Sequence, residues 1–119
     1  MEYSFEKLIV WQESRTLVRE IYVILKDFPK FEQYALCDQI RRAVISISSN
    51  IAEGNAKQSH KEKIHFFEIA FGSLMEVCCQ IILANDLEYI SPQKYEQIKI
   101  RIGKVNKLLS GLKSSLENK

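Results

Sequence analysis

Glu62-Lys63-Ile64-His65 sets a carboxylate and an imidazole three residues apart, the spacing that places both on one helix face in di-iron bundles. Such a centre needs that motif on two helices and a further Glu from each of the others. The chain has 2 histidines, His60 and His65, close together on one segment, so a single chain cannot supply the motif twice. Zinc asks for paired Cys and His at finger spacing, and Cys37, Cys78 and Cys79 contain no C-x-x-C and make a poor disulfide framework. They read as small buried hydrophobes in a reducing compartment. No G-x-S-x-G elbow, Gly-rich phosphate loop or local Cys/His pairing is present. The Arg-then-His pattern of helical-bundle ribonucleases fails as well, because the nearest arginine before His60 is Arg42. No metal, cofactor or catalytic residue is expected, and the chain reads as a binding protein rather than an enzyme.

Two patterns could bind rather than react. Gln39, Arg42, Ser46, Asn50 and Glu53 follow steps of three, four, four and three, a polar stripe at the border of an apolar helix face. It reads either as a solvated flank or as a partly buried hydrogen-bond seam. In the second case Asn50 and Glu53 would pair with the polar strip of the next helix, where Gly72-Ser73 would allow close approach and Glu76 adds a carboxylate. The other pattern is charge. From Pro92 onward seven basic residues face two acidic ones, although the whole chain carries only +2. Lys99, Arg101, Lys104, Lys107 and Lys113 are candidate phosphate contacts, since Lys and Arg supply most non-specific affinity for nucleic acid. Spread around a helix, they read equally well as ordinary solvated lysines.

The elements that must carry these residues are four helices, predicted at about 5–27, 32–54, 60–87 and 92–117. Leu17, Ile21, Ile24 and Phe28 give the first its face, and Pro29 stops it. Leu36, Ile40, Val44, Ile47 and Ile51 line the second, with Gly54-Asn55 as its stop. Ser59 and Glu62 form a capping box for the third, whose face is expected to run Phe67, Phe71, Leu74, Cys78 and Ile81. Ser91-Pro92 opens the fourth, and Tyr95, Ile98, Ile102, Val105, Leu109, Leu112 and Leu116 form an a/d seam. Short connectors make neighbours antiparallel, so the fold expected is an all-α, up-down-up-down four-helix bundle in one domain, 1–119. The 4 Gly and 2 Pro argue against a loop-rich or all-β design. The third helix is apolar around most of its circumference. Either it is more buried than its neighbours, or one arc faces the core and another a second subunit. The acidic N-terminus does not suit a signal peptide, and no wholly apolar run approaches bilayer length. A soluble, cytoplasmic protein without a membrane partner is expected.

Gln39-Ile40-Arg41-Arg42-Ala43, Ser46-Ile47-Ser48-Ser49-Asn50-Ile51-Ala52-Glu53-Gly54 and Ile69-Ala70-Phe71-Gly72-Ser73-Leu74-Met75-Glu76 resemble the four-helix-bundle proteins encoded in intervening sequences of bacterial 23S ribosomal RNA genes. The likeness extends from the Leu8-x-Val10-Trp11-Gln12 opening through Phe28-Pro29 into the fourth helix. Ser48 stands where that family usually has Pro, and Ala35 where it often has Gly. The resemblance implies a homopentamer of left-handed bundles. It also implies kinship with the accessory variability protein of diversity-generating retroelements, a pentamer that binds nucleic acid and a reverse transcriptase. Asn50, Glu53, Gly72, Ser73 and Glu76 take a structural role in it, as a helix-packing seam. The expected function is an oligomeric scaffold that binds RNA or DNA, the competing one a hub for a protein partner.

Overall fold

A computed structural model describes residues 1–118 of the chain. Four helices run in sequence: α1 (Ile9–Leu25), α2 (Leu36–Ala56), α3 (His60–Asp86) and α4 (Pro92–Glu117). They form an all-α bundle with overall extents of 46 × 25 × 23 Å. The basic Lys119, counted above in the last segment, lies outside the described residues.

The helices begin and end where backbone groups find local partners. Ser4–Lys7 makes a 3-10 turn rather than the start of α1, because the Tyr3 backbone N–H donates to the Glu6 carboxylate at 2.7 Å and Leu8 is extended. The α1–α2 connection is longer than expected because Gln33 organises it. The Gln33 side-chain amide donates to the carbonyls of Leu25 (3.0 Å) and Phe28 (3.2 Å), and Arg41 in turn donates to the Gln33 side-chain oxygen at 2.9 Å. Orphan carbonyls at the end of α1 are thereby satisfied. The Ser59 hydroxyl caps α3 through the Glu62 N–H at 3.1 Å, and the Ser91 hydroxyl caps α4 through the Lys94 N–H at 3.3 Å. Glu88 closes α3 with φ of 64°, the left-handed position that glycine takes most easily. In the turn that follows, the Tyr89 hydroxyl donates to Glu32 at 2.9 Å. Burial, then that hydrogen bond, pushes the Tyr89 phenol above its ordinary pKa.

The core is one cluster drawn from all four helices. The faces expected of α1, α2 and α4 are the faces that are buried: Leu17, Ile21 and Ile24; Ile40, Val44, Ile47 and Ile51; Ile98, Ile102, Val105 and Leu109. The third face differs. Phe67, Ala70, Leu74, Val77, Ile81 and Ala84 line the core, while Phe71 is 41% exposed and Cys78 half-buried. By length and composition α3 is also long and apolar enough to cross a membrane, although no uninterrupted apolar run suggests it. Within the bundle its Phe67–Ala84 stripe fills the core.

Two glycines exchange roles. Gly54, expected as a stop, is buried inside α2, and a Cβ there would stand 2.7 Å from the Phe67 ring. Close approach of α2 and α3 is therefore what this glycine permits. Gly72, expected to allow that approach, is exposed, and among the described residues nothing beyond its own stretch of helix lies within 4 Å of an added Cβ.

Candidate interaction surfaces

The groups with catalytic potential are dispersed. Glu62 is engaged at the cap of α3, where the Ser59 hydroxyl lies 3.4 Å from its carboxylate. His65 is exposed, with its ring edge against Phe66. Among the described residues no three His, Cys, Asp or Glu side chains converge as metal ligands would. The three thiols are free. Cys37 is buried, which pushes its thiol upward in pKa. Cys78 lies 3.9 Å from the Lys99 ammonium, and Cys79 is exposed.

The polar stripe of α2 divides. Its middle is a hydrogen-bonded seam with α3: the hydroxyls of Ser46 and Ser73 meet at 2.9 Å. The Asn50 amide donates to the Ser46 carbonyl at 2.8 Å and to its hydroxyl at 3.0 Å. Asn50 thus completes the seam through its own helix instead of reaching α3 itself. Gln39, Arg42 and Glu53 are exposed, as are Gly72 and Glu76 across the groove. Glu53 makes no hydrogen bond or ion pair among the described residues, so the expected pairing of Glu53 with α3 is not formed in the single chain. Glu76 accepts from the Gln80 amide at 3.1 Å. The Gln80 carbonyl oxygen is buried without a partner.

The basic residues of α4 differ in how far the bundle engages them. Arg101 holds two carboxylates of α1, Glu13 at 2.7 Å and Glu20 at 3.0 Å. Its side chain and those carboxylates keep 23%, 23% and 14% of their exposure. The hydrogen bonds it donates to Glu20 and Glu13 push the guanidinium pKa upward. Lys104 stands 3.9 Å from Glu13, and Lys113 3.4 Å from Glu68 of α3. Lys99 turns towards Cys78 and the Tyr95 ring. Lys107 is exposed, with no carboxylate in salt-bridge range among the described residues. Five candidate contacts thus become one open cation and four engaged in packing or pairing.

The second apolar arc that the sequence allowed on α3 has definite members in the structure. Ile64, Glu68, Phe71, Met75, Cys78 and Ile82 follow steps of four, three, four, three and four. That stripe lies about 110° round the helix from the core stripe. Phe71, Met75 and Ile82 expose 41%, 37% and 37% of their surface, and the stripe borders a groove shared with Leu109, Ser110 and Lys113 of α4. The signal was in the sequence as two interleaved seven-residue repeats, merged into one wide apolar arc.

Comparison with known proteins agrees with the fold. The family model described as 23S rRNA-intervening sequence protein matches residues 6–111. The chain is similar to a crystal structure of a protein of unknown function from the S23 ribosomal protein family of Bacteroides thetaiotaomicron. The two share 27% identity and a TM-score of 0.81, over 89% of this chain and 96% of that one. No curated protein matches.

Proposed function

The chain belongs to the 23S rRNA-intervening sequence protein family, and on that premise we propose that it is a non-enzymatic scaffold that assembles from several copies and binds nucleic acid, RNA foremost. The second apolar stripe of α3 carries the assembly. A single helix of a monomer needs one apolar arc of just over 100°, and α3 presents two. Covering the exposed parts of Phe71, Met75 and Ile82 is worth on the order of 2 kcal/mol per copy. Gly72 supports the same reading. A glycine inside an exposed helix costs about 1 kcal/mol relative to alanine, and nothing in its own chain crowds the position. A helix of a neighbouring copy packed there would explain it. The family description supports RNA as the ligand class, and the resemblance of the sequence supports a ring of five.

Light scattering of the unmodified protein at micromolar concentration tests the assembly, with a mass near roughly five chains expected for a closed ring. Phe71→Asp with Met75→Asp should reduce that mass to one chain while helicity is retained. A unmodified protein that runs as a clean monomer would end the reading. For the ligand, a gel shift with unrelated RNAs over a salt series is expected to show log affinity falling linearly with log salt. Absence of binding at low salt would favour a protein partner on the same scaffold.

A further inference from the structure

Pairing of Glu13 and Glu20 with Arg101 leaves α1 with an unusual outer side. Trp11, Arg15, Arg19, Tyr22 and Lys26 follow steps of four, four, three and four, one ridge along the helix and the residue after its end. Glu13 and Glu20, the two carboxylates within α1, lie about 150° round the helix from this ridge and are held by Arg101. Arg15, Arg19 and Lys26 are exposed, and none has a carboxylate in salt-bridge range among the described residues. The Arg15 guanidinium lies 5.4 Å from the centre of the half-buried Trp11 ring. Tyr22 is 39% exposed, between Arg19 and Lys26 in the ridge. Three cations and two aromatic rings therefore share a face to which α1 contributes no carboxylate.

We propose that this ridge of α1, rather than α4, is where the protein holds single-stranded RNA. The chemistry required is phosphate neutralisation together with a ring on which a base can stack, worth about 1–3 kcal/mol per base. Arg15 to Lys26 spans eleven residues, about 16 Å at 1.5 Å per residue, room for a few successive phosphates of an extended strand. Neither the ridge nor the engaged bases of α4 would read sequence, since phosphate contacts position a nucleic acid without specifying it. A duplex offers its phosphates but keeps its bases stacked, so the aromatic members favour a single strand. The proposal rests on the RNA reading above and locates its surface.

The chain contains 1 tryptophan, Trp11, which makes its fluorescence a local probe of the ridge. The ligand used is a short oligouridylate at low salt, followed by fluorescence and by gel shift. Arg19→Glu with Lys26→Glu, which leaves Arg15 on the indole, is compared with Lys104→Glu with Lys107→Glu on α4. Binding should quench Trp11, and the α1 pair should weaken it about ten-fold or more while flattening the salt slope by about 0.7 per lost contact. Tyr22→Ala should weaken it about five-fold or more with the slope unchanged. The α4 pair should cost less than the α1 pair. Loss in the α4 pair with the α1 pair unaffected, or equal loss in both, overturns the ridge and leaves the RNA reading intact. Equal affinity for inorganic polyphosphate removes the stacking role of Tyr22 and overturns the single-strand assignment. If the unmodified protein binds no RNA, both readings fall together.

Discussion

The α1–α4 and α2–α3 seams hold the same kind of helices together by opposite means. Between α1 and α4 the specific contacts are ionic: Arg101 bridges Glu13 and Glu20 at the edge of the core. Between α2 and α3 they are neutral and steric, with Ser46 against Ser73 and Gly54 against the ring of Phe67. The ionic seam draws charge inward and sorts it, so that α1 keeps its cations outside and its carboxylates inside. The steric seam does the reverse, leaving Arg42, Glu53 and Glu76 exposed along its rim. How a helix pair is held thus decides which charges its outer faces are left with.

The steric seam should be the easier to break. Gly54→Val puts two branched methyls where even a Cβ would lie 2.7 Å from Phe67 and 3.0 Å from Phe66. The Phe66 contact is its Cβ, fixed to the backbone of α3, and the Phe67 ring is buried in the core, so α3 must shift. Overpacking of this kind costs about 3 kcal/mol, read as a lower midpoint in denaturant at fixed protein concentration. A cost under about 1 kcal/mol would mean that α2 and α3 can slide apart freely.

The ionic seam comes next. Arg101→Met leaves Glu20 without its cation and Glu13 with only Lys104, at 3.9 Å. Because the three side chains remain partly exposed, the cost should fall between that of surface and buried pairs, about 2 kcal/mol. Adding Glu13→Gln and Glu20→Gln should recover most of it, since a neutral seam has no unpaired charge. Salt separates the two regions further. Raising ionic strength should narrow the gap between Arg101→Met and the unmodified protein, and should leave the Gly54→Val gap unchanged. If the triple variant stays as unstable as Arg101→Met, the network acts through packing and not through charge.

Asn50→Ala probes the neutral seam at lower cost. It deletes the donor to Ser46 and leaves the Ser46–Ser73 contact in place. The loss should be about 1 kcal/mol, the ordinary net value of such a bond, and independent of salt.

What was legible in the sequence differs between these regions for physical reasons. α1, α2 and α4 each have one apolar stripe, so the 3.6-residue period identifies their buried faces without further information. On α3 two stripes overlap, and periodicity cannot distinguish Phe67-Phe71-Cys78 from Phe67-Ala70-Val77. The partner helices make that choice. Gly54-Asn55 has the local chemistry of a helix stop, and the approach of Phe67, thirteen residues on, decides otherwise. Arg101 looked like a phosphate contact because its partners lie on α1, at the far end of the sequence. Glu13 and Glu20, seven apart on one face, were the signal that a cation from another helix was required. Ser46 and Asn50 stayed open between flank and seam because periodicity places them only at the border of the Val44–Ile47 face, and the Ser46–Ser73 contact decides it. Glu53 sits further round, where the packing of α3 alone determines whether it is covered.

Glu53→Ala has the smallest expected effect, and it ties the comparison to the assembly. Within one chain Glu53 is exposed and takes part in no ion pair among the described residues, so its removal should change stability by less than about 0.5 kcal/mol. Glu53 belongs to the rim that the steric seam leaves outside, together with Arg42 and Glu76. If another copy packs along that rim, a charge there becomes covered and must be paired, and its loss would cost on the order of 1–3 kcal/mol. The measurement is a denaturant midpoint for Glu53→Ala at two protein concentrations, alongside the monomeric Phe71→Asp with Met75→Asp background. An effect absent from that background and present in the unmodified protein would extend the proposed subunit contact from the second stripe of α3 to the α2–α3 rim. No effect in either confines the contact to the stripe and leaves the rim to solvent.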